Sequence, residues 1–137
     1  MSLELNLPTN LSDPTSASLM VVEFKDLDFK PERIYWMSEF VSGTTRGNHA
    51  HKTLRQAFFV MSGSVTLDLY RGETKTSVEM NKTSLILRVN PGIWRVIRNA
   101  SKDCVMMVLA DQPYDEDDYI RNWNDYLNWF DSGLKHG

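Results

Sequence analysis

The sequence has 137 residues, of which 42% are hydrophobic and 24% charged, and a formal net charge of −3. That balance suits one soluble globular domain, and without a basic stripe it argues against nucleic acid as a partner. No apolar run reaches membrane-spanning length, and the opening residues lack the charged and apolar regions of an export signal, so a cytoplasmic location and no membrane partner are expected. Cys104 is the only cysteine, so neither an intrachain disulfide nor a Cys-based zinc site can form.

In chain order, residues 1–18 are polar and turn-rich, with Pro8 and Pro14, and read as a loosely held N-terminal arm. Short segments rich in Val, Ile, Phe, Tyr, Leu and Met follow at Leu19–Phe24, Ile34–Phe40, Ala57–Met61, Val65–Tyr70, Thr74–Met80, Leu85–Val89, Ile93–Ile97 and Cys104–Ala110. Many short strands with turn residues between them predict an all-β sandwich or barrel. Alternation is clearest over Ser64–Tyr70, where Val65, Leu67 and Leu69 share one face. Ser62-Gly63-Ser64 and Arg71-Gly72-Glu73 read as hairpin connections and Asn90-Pro91-Gly92 as a tight turn, so consecutive antiparallel strands are expected.

The period changes after Asp115. Tyr119, Trp123, Tyr126, Leu127 and Phe130 recur at steps of three and four, which predicts a C-terminal helix over residues 115–132 docked on the sheets. Asp115, Glu116, Asp117 and Asp118 then fall at its solvated start, where the helix dipole favours negative charge, and Gly133 suits its end. No second domain or internal repeat is evident, so residues 1–137 are expected to form a single domain.

The chemistry concentrates in Gly43-Thr-Thr-Arg46-Gly-Asn-His49-Ala-His51-Lys-Thr-Leu-Arg-Gln56-Ala-Phe-Phe-Val-Met-Ser-Gly63. His49 and His51, two apart on a strand, face the same side. The spacing resembles the first cupin motif, with Gln56 where a glutamate is usual. Asn90-Pro91-Gly92-Ile-Trp94-Arg95-Val-Ile-Arg-Asn99 resembles the second, with Arg95 in place of its metal-ligating histidine. The resemblance implies a single cupin domain, a double-stranded β-helix or jelly-roll barrel of two antiparallel sheets. Two histidines, a neutral amide and a guanidinium are a poor donor set for a metal, because a permanently charged arginine cannot coordinate and repels a divalent cation. No metal and no cofactor are expected. The two imidazoles are expected to titrate near neutrality and exchange protons with a substrate.

The resemblance extends further. Arg33-Ile-Tyr35-Trp, Arg46-Gly-Asn-His49-Ala-His51, Pro91-Gly-Ile-Trp94-Arg95, Asp103–Ala110 and Tyr114-Asp-Glu-Asp-Asp-Tyr119-Ile-Arg121 together look like the sugar-nucleotide 3,4-ketoisomerase family, over Leu19 to about Tyr126. Membership implies a metal-independent isomerase that moves the keto group of dTDP-4-keto-6-deoxyglucose from C4 to C3 through an enediol. Such enzymes serve dTDP-3-amino-3,6-dideoxyhexose biosynthesis for surface glycans or antibiotics. The resemblance also implies a homodimer with exchanged N-terminal strands. On matching positions, His49 with Tyr35 is the expected acid/base pair at carbon, and His51 the shuttle between the C3 and C4 oxygens. Arg46, Arg95, Gln56 and Trp94 are the expected substrate-binding residues. Arg46 is a candidate for holding the enediolate or the diphosphate, while Arg95 lines the sugar pocket and bears on which face of C4 is reprotonated. Tyr119 and Arg121 match the same signature and are assigned structural places by the helical pattern.

Two other readings stay open at this level. An epimerase acting on the same keto-sugar would exchange the hydrogen at C5 without moving the carbonyl. A non-catalytic cupin would bind the sugar nucleotide and leave it unchanged.

Overall fold

Alternation along the β segments sorts their side chains between a shared interior and two outer faces, and the sheets follow from it. The computed structural model describes residues 3–136, with side chains as far as Gly133. Its strands are β1 (Thr9–Asn10), β2 (Met20–Val21), β3 (Arg33–Met37), β4 (Arg46–His51), β5 (Gln56–Ser62), β6 (Ser64–Arg71), β7 (Thr74–Asn81), β8 (Leu87–Val89), β9 (Ile93–Arg98), β10 (Val105–Ala110) and β11 (Tyr119–Ile120), followed by the helix α1 (Trp123–His136). Two antiparallel sheets form the body, a four-stranded one in the order β3-β10-β5-β8 and a five-stranded one in the order β11-β4-β9-β6-β7. This is the jelly-roll barrel of two antiparallel sheets that the cupin resemblance implied.

The core lies between the sheets. Phe58, Val60, Met106 and Val108 of the four-stranded sheet pack with Val65, Leu67, Leu69, Ile93 and Ile97 of the five-stranded one. The alternation read over Ser64–Tyr70 therefore holds. Its polar face is also partly covered, because Asp68 is buried and its carboxylate accepts from Arg98 Nε at 2.7 Å and Ser77 Oγ at 2.6 Å.

Three sequence expectations are corrected here. Only the Arg71-Gly72-Glu73 turn joins paired neighbours, β6 and β7, whereas the turns at Gly63 and Gly92 carry the chain from one sheet to the other, β5 to β6 and β8 to β9. The N-terminal arm is tied down: Leu5 N–H donates to Ile86 O at 2.8 Å, Glu4 bridges Leu87, and β1 pairs antiparallel with β2. Turn-rich composition hid pairings to strands far along the chain. The C-terminal helix is Trp123–His136 rather than 115–132, starting later and running on through Gly133. Glu116–Asp118 forms one 3-10 turn, with Asp115 Oδ1 accepting from Asp117 N–H at 3.0 Å, and Tyr119–Ile120 then pairs with Ala50–His51 as β11. Three- and four-residue spacing of aromatics continued upstream by coincidence, while the pairing of β11 with β4 is long-range and leaves no local periodic signal.

From Trp123 onward the expected apolar face is real. Trp123, Tyr126, Leu127 and Phe130 close over Trp94 and Tyr70 on the outer side of the five-stranded sheet. Tyr126 Oη donates to Gly92 O at 2.7 Å and accepts from Gly72 N–H at 2.9 Å, which pins the helix to the β8–β9 turn and to the β6–β7 hairpin. Gly72 (φ +61°) is needed there, since a Cβ would lie 2.8 Å from the Phe130 ring.

Candidate active site

The cup opens at the end of the barrel where β4, β9 and β3 converge. Tyr35, Arg46, His49, Phe58, Arg95 and Tyr119 are among the residues lining a cavity of about 250 Å³ there. Alternation along β9 turns Ile93, Arg95 and Ile97 inward and Trp94 outward. On β4 a bulge interrupts the pairing with β9 between Gly47 and His49, and His49 then stands opposite Arg95. Gly47 (φ +86°) permits this close approach, since a Cβ would come within 2.9 Å of Arg95 O.

Both imidazoles are held through Nδ1. His49 Nδ1–H donates to Gly47 O at 2.9 Å, and His51 Nδ1–H donates to Asp118 Oδ2 at 3.0 Å. Each acceptor lacks a proton to give, so in the neutral ring Nε2 of both histidines carries the lone pair. The rings meet edge to face with centroids 4.9 Å apart, and the Tyr119 ring packs on both, 4.9 Å from His49 and 4.3 Å from His51.

Near-neutral titration of these histidines is not what the cup provides. Burial, then the Arg95 charge, lowers the His49 pKa to about 3 and the His51 pKa to about 4. Both rings are therefore uncharged bases at neutral pH. Tyr35 is shifted the other way, its pKa raised by burial against the opposing influence of Arg95, and it keeps its phenolic proton.

Arg95 is 1% exposed, and burial lowers its pKa to about 10, which still leaves it charged at neutral pH. Its Nη1 donates to Gln56 Oε1 in a short contact, and Nη2 donates to Ile93 O at 3.1 Å. Among the described residues its Nε has no hydrogen-bond partner and no carboxylate is paired with it. A buried cation held only by neutral groups is an electrostatic sink for a negative charge developing in the cup. Gln56 carries the contact onward, its Nε2 donating to Tyr35 Oη at 2.9 Å. The Tyr35 oxygen is thus an acceptor from Gln56, and its own proton is free to point elsewhere.

The residues expected from sequence divide into three groups. Tyr35, His49, Arg46 and Arg95 line the cup. His51 and Gln56 are almost fully buried beside it, oriented by Asp118 and Arg95. Trp94 is a correction. It is 6% exposed and packs edge to face on Trp123 with centroids 5.2 Å apart, under α1 and across the sheet from the cup, so it does not line the cup. Strand alternation carries that signal, since adjacent Trp94 and Arg95 cannot face the same side.

Sequence reasoning missed three neighbours. Tyr119 and Arg121 line the cup rather than the helix core, with the Arg121 guanidinium 4.0 Å from the Tyr119 ring centroid and ion-paired to Glu116 at 2.7 Å. Asp118 is buried rather than solvated. Burial raises its pKa, but hydrogen bonds from Thr53 and His51 outweigh this and hold it below the usual carboxylate value. Among the described residues no group of three or more His, Cys, Asp and Glu is placed to hold a metal ion.

Comparison with known proteins agrees with this geometry. The FdtA family (WxcM-like, C-terminal) matches residues 3–131. The chain belongs to this family. It is 33% identical over 117 residues, 85% of this chain and 84% of the relative, to a TDP-4-oxo-6-deoxy-alpha-D-glucose-3,4-oxoisomerase of Aneurinibacillus thermoaerophilus. Its fold matches a sugar 3,4-ketoisomerase of Thermoanaerobacterium thermosaccharolyticum solved with TDP, at a TM-score of 0.89 and 32% identity over 96% of both chains. A variant of that enzyme solved with TDP-4-keto-6-deoxyglucose matches at 0.87 and 31% identity, over 96% of this chain and 97% of that one. The resemblance drawn from the motifs and the family shown by comparison are the same.

Proposed function

We propose that this chain is a TDP-sugar 3,4-ketoisomerase that moves the keto group of TDP-4-keto-6-deoxyglucose from C4 to C3. The observation that carries the mechanism is the pair of neutral imidazoles, each tied back through Nδ1, beside a buried guanidinium that no carboxylate neutralises. The C4 ketone acidifies the hydrogen on C3. His49 Nε2 removes that proton, and the electron pair forms the C3–C4 double bond while O4 becomes an oxyanion facing the Arg95 charge. His51 Nε2 accepts the O3 proton and returns a proton to O4. The O3 electron pair then closes the C3 carbonyl, and C4 takes a proton from His49, or from Tyr35, whose oxygen is then reprotonated by His49. The sum is one proton lost from C3 and one gained at C4, with exchange against solvent on the base between the two, and one proton passed from O3 to O4, with no redox cofactor needed.

Arg46, at the exposed start of β4 and among the residues lining the cup, is assigned the diphosphate or the enediolate, since a guanidinium fork suits either. A homodimer is part of the same reading. Ile34 at 49% exposure, Trp36 at 60% and Met61 at 52% are large apolar side chains exposed on the four-stranded sheet, where β3 is an edge strand. Light scattering is expected to give twice the chain mass, and a monomer mass would remove the dimer from the proposal. The product belongs in the supply of 3-keto sugar nucleotides for amination at C3.

The test of function is carbon NMR of the protein with TDP-4-keto-6-deoxyglucose. Migration of the carbonyl resonance from C4 to C3 is expected. Exchange at C5 without migration would indicate an epimerase, and an unchanged sugar with broadened lines would indicate a binding module.

A further inference from the structure

The Asp118 carboxylate is saturated by donors from β4 and the residues that follow it. Its Oδ1 accepts from Thr53 N–H at 2.7 Å and from Thr53 Oγ1 at 2.7 Å. Its Oδ2 accepts from His51 Nδ1–H at 3.0 Å and from Leu54 N–H at 3.3 Å. Asp118 N–H donates in turn to Asp115 O at 3.1 Å, and Lys52 N–H donates to Asp118 O at 3.0 Å, so backbone and side chain are both fixed. His51 and Asp118 are 67 residues apart in sequence, and the pairing of β11 with β4 brings them together.

We infer that Asp118 is a positioning residue that sets the tautomer of His51, keeping the ring proton on Nδ1 so that Nε2 presents its lone pair to the cup. Asp118 touches no reacting atom and acts through the imidazole. The role deepens the proposed isomerisation and rests on His51 serving as the oxygen shuttle. A ring with its proton on Nε2 cannot accept the O3 proton, so a reversed tautomer stops the transfer at its first step.

Asp118→Asn discriminates this role from simple packing, because the shape is kept and one acceptor becomes a donor. The amide NH₂ must face either the Thr53 N–H or the Leu54 N–H and His51. Facing Thr53 opposes two donors across 2.7 Å, whereas facing Leu54 opposes them across 3.3 Å, which is the lesser conflict. The NH₂ therefore turns to His51, and Nδ1 must become the acceptor with the proton moved to Nε2.

The experiment is nitrogen-15 NMR of histidine-labelled protein without ligand, with ring signals assigned by their loss in His51→Asn and His49→Asn. In the wild type the expected His51 signature is a protonated Nδ1 and an unprotonated Nε2, and in Asp118→Asn the reverse. The variant's kcat with TDP-4-keto-6-deoxyglucose is expected to fall by roughly 10²-fold, the size of a general acid/base contribution, with KM much less affected. A wild-type His51 protonated on Nε2, or an Asp118→Asn protein with an unchanged tautomer and kcat, would overturn the assignment. If Asp118→Asn does not fold, the wild-type spectrum alone still decides. If the wild type folds but leaves the sugar nucleotide unchanged, the isomerase reading fails while the ring-nitrogen measurement still judges Asp118.

Discussion

At the scale of single residues, the proposed mechanism directs protons through the orientation of hydrogen-bonded groups. Gln56 is the clearest case, since its carbonyl is committed to Arg95 and its NH₂ therefore faces Tyr35. Gln56→Glu removes that donor and adds a charge. The Tyr35 O–H would then donate to the carboxylate and be drawn out of the cup, while Arg95 would gain an ionic partner. The expected result is a fall in kcat of roughly 10²-fold, with a melting temperature no lower than wild type because a buried charge has been paired. Measuring both on one preparation checks this, and an unchanged kcat would detach Gln56 from the proton path. His49, His51, Arg95 and Gln56 were legible in the sequence through their motif spacing. Asp118 and Tyr119 were not, because what makes them matter is a two-residue strand pairing to β4 rather than any neighbour in the chain.

At the scale of elements, one strand separates two tasks. Alternate residues of β9 serve the cup and the helix seat: Arg95 inward, Trp94 outward. Trp94→Ala should therefore destabilise the fold by about 3 kcal/mol, as large-to-small aromatic changes in cores do, and leave KM for the sugar nucleotide near its wild-type value. Urea unfolding with parallel kinetics checks both halves, and a raised KM with unaltered stability would return Trp94 to the substrate. Short apolar segments between turn residues made most β strands readable in advance, with period-two alternation clearest along β6. The same reasoning failed at the C-terminal segment, where Tyr119 fits a helical spacing and yet extends as β11, because helical periodicity is a weak guide over one turn when a partner strand is waiting. It failed also at the N-terminal arm, where polarity masked backbone pairing to β8.

At the scale of the whole molecule, burying two neutral histidines couples catalysis to stability. An unfolded histidine titrates at about 6.5, whereas the folded values are lowered to about 3 for His49 and about 4 for His51. Between those limits the unfolded chain binds more protons than the folded one. The contribution to stability is therefore complete above about pH 6.5 and is lost as pH falls toward the folded values, with a slope of up to about 1.4 kcal/mol per pH unit for each ring. Denaturation midpoints are expected to drop between pH 6.5 and 4, and less steeply in a protein carrying both His49→Asn and His51→Asn. An identical slope in the double variant would contradict the depressed values. The same shift keeps the bases unprotonated, so kcat/KM should hold from neutrality down to about pH 5 rather than fall near 6.5.

The central claim is that the carbonyl moves by proton transfer through His49. Proton NMR of wild type and His49→Asn with TDP-4-keto-6-deoxyglucose in deuterated water tests it most directly. The wild type should yield the 3-keto sugar with solvent deuterium at C4, and His49→Asn, folded as judged by circular dichroism, should be slower by roughly 10²-fold or more. Carbonyl migration with the original hydrogen fully retained at C4, and at an undiminished rate in His49→Asn, would contradict the account.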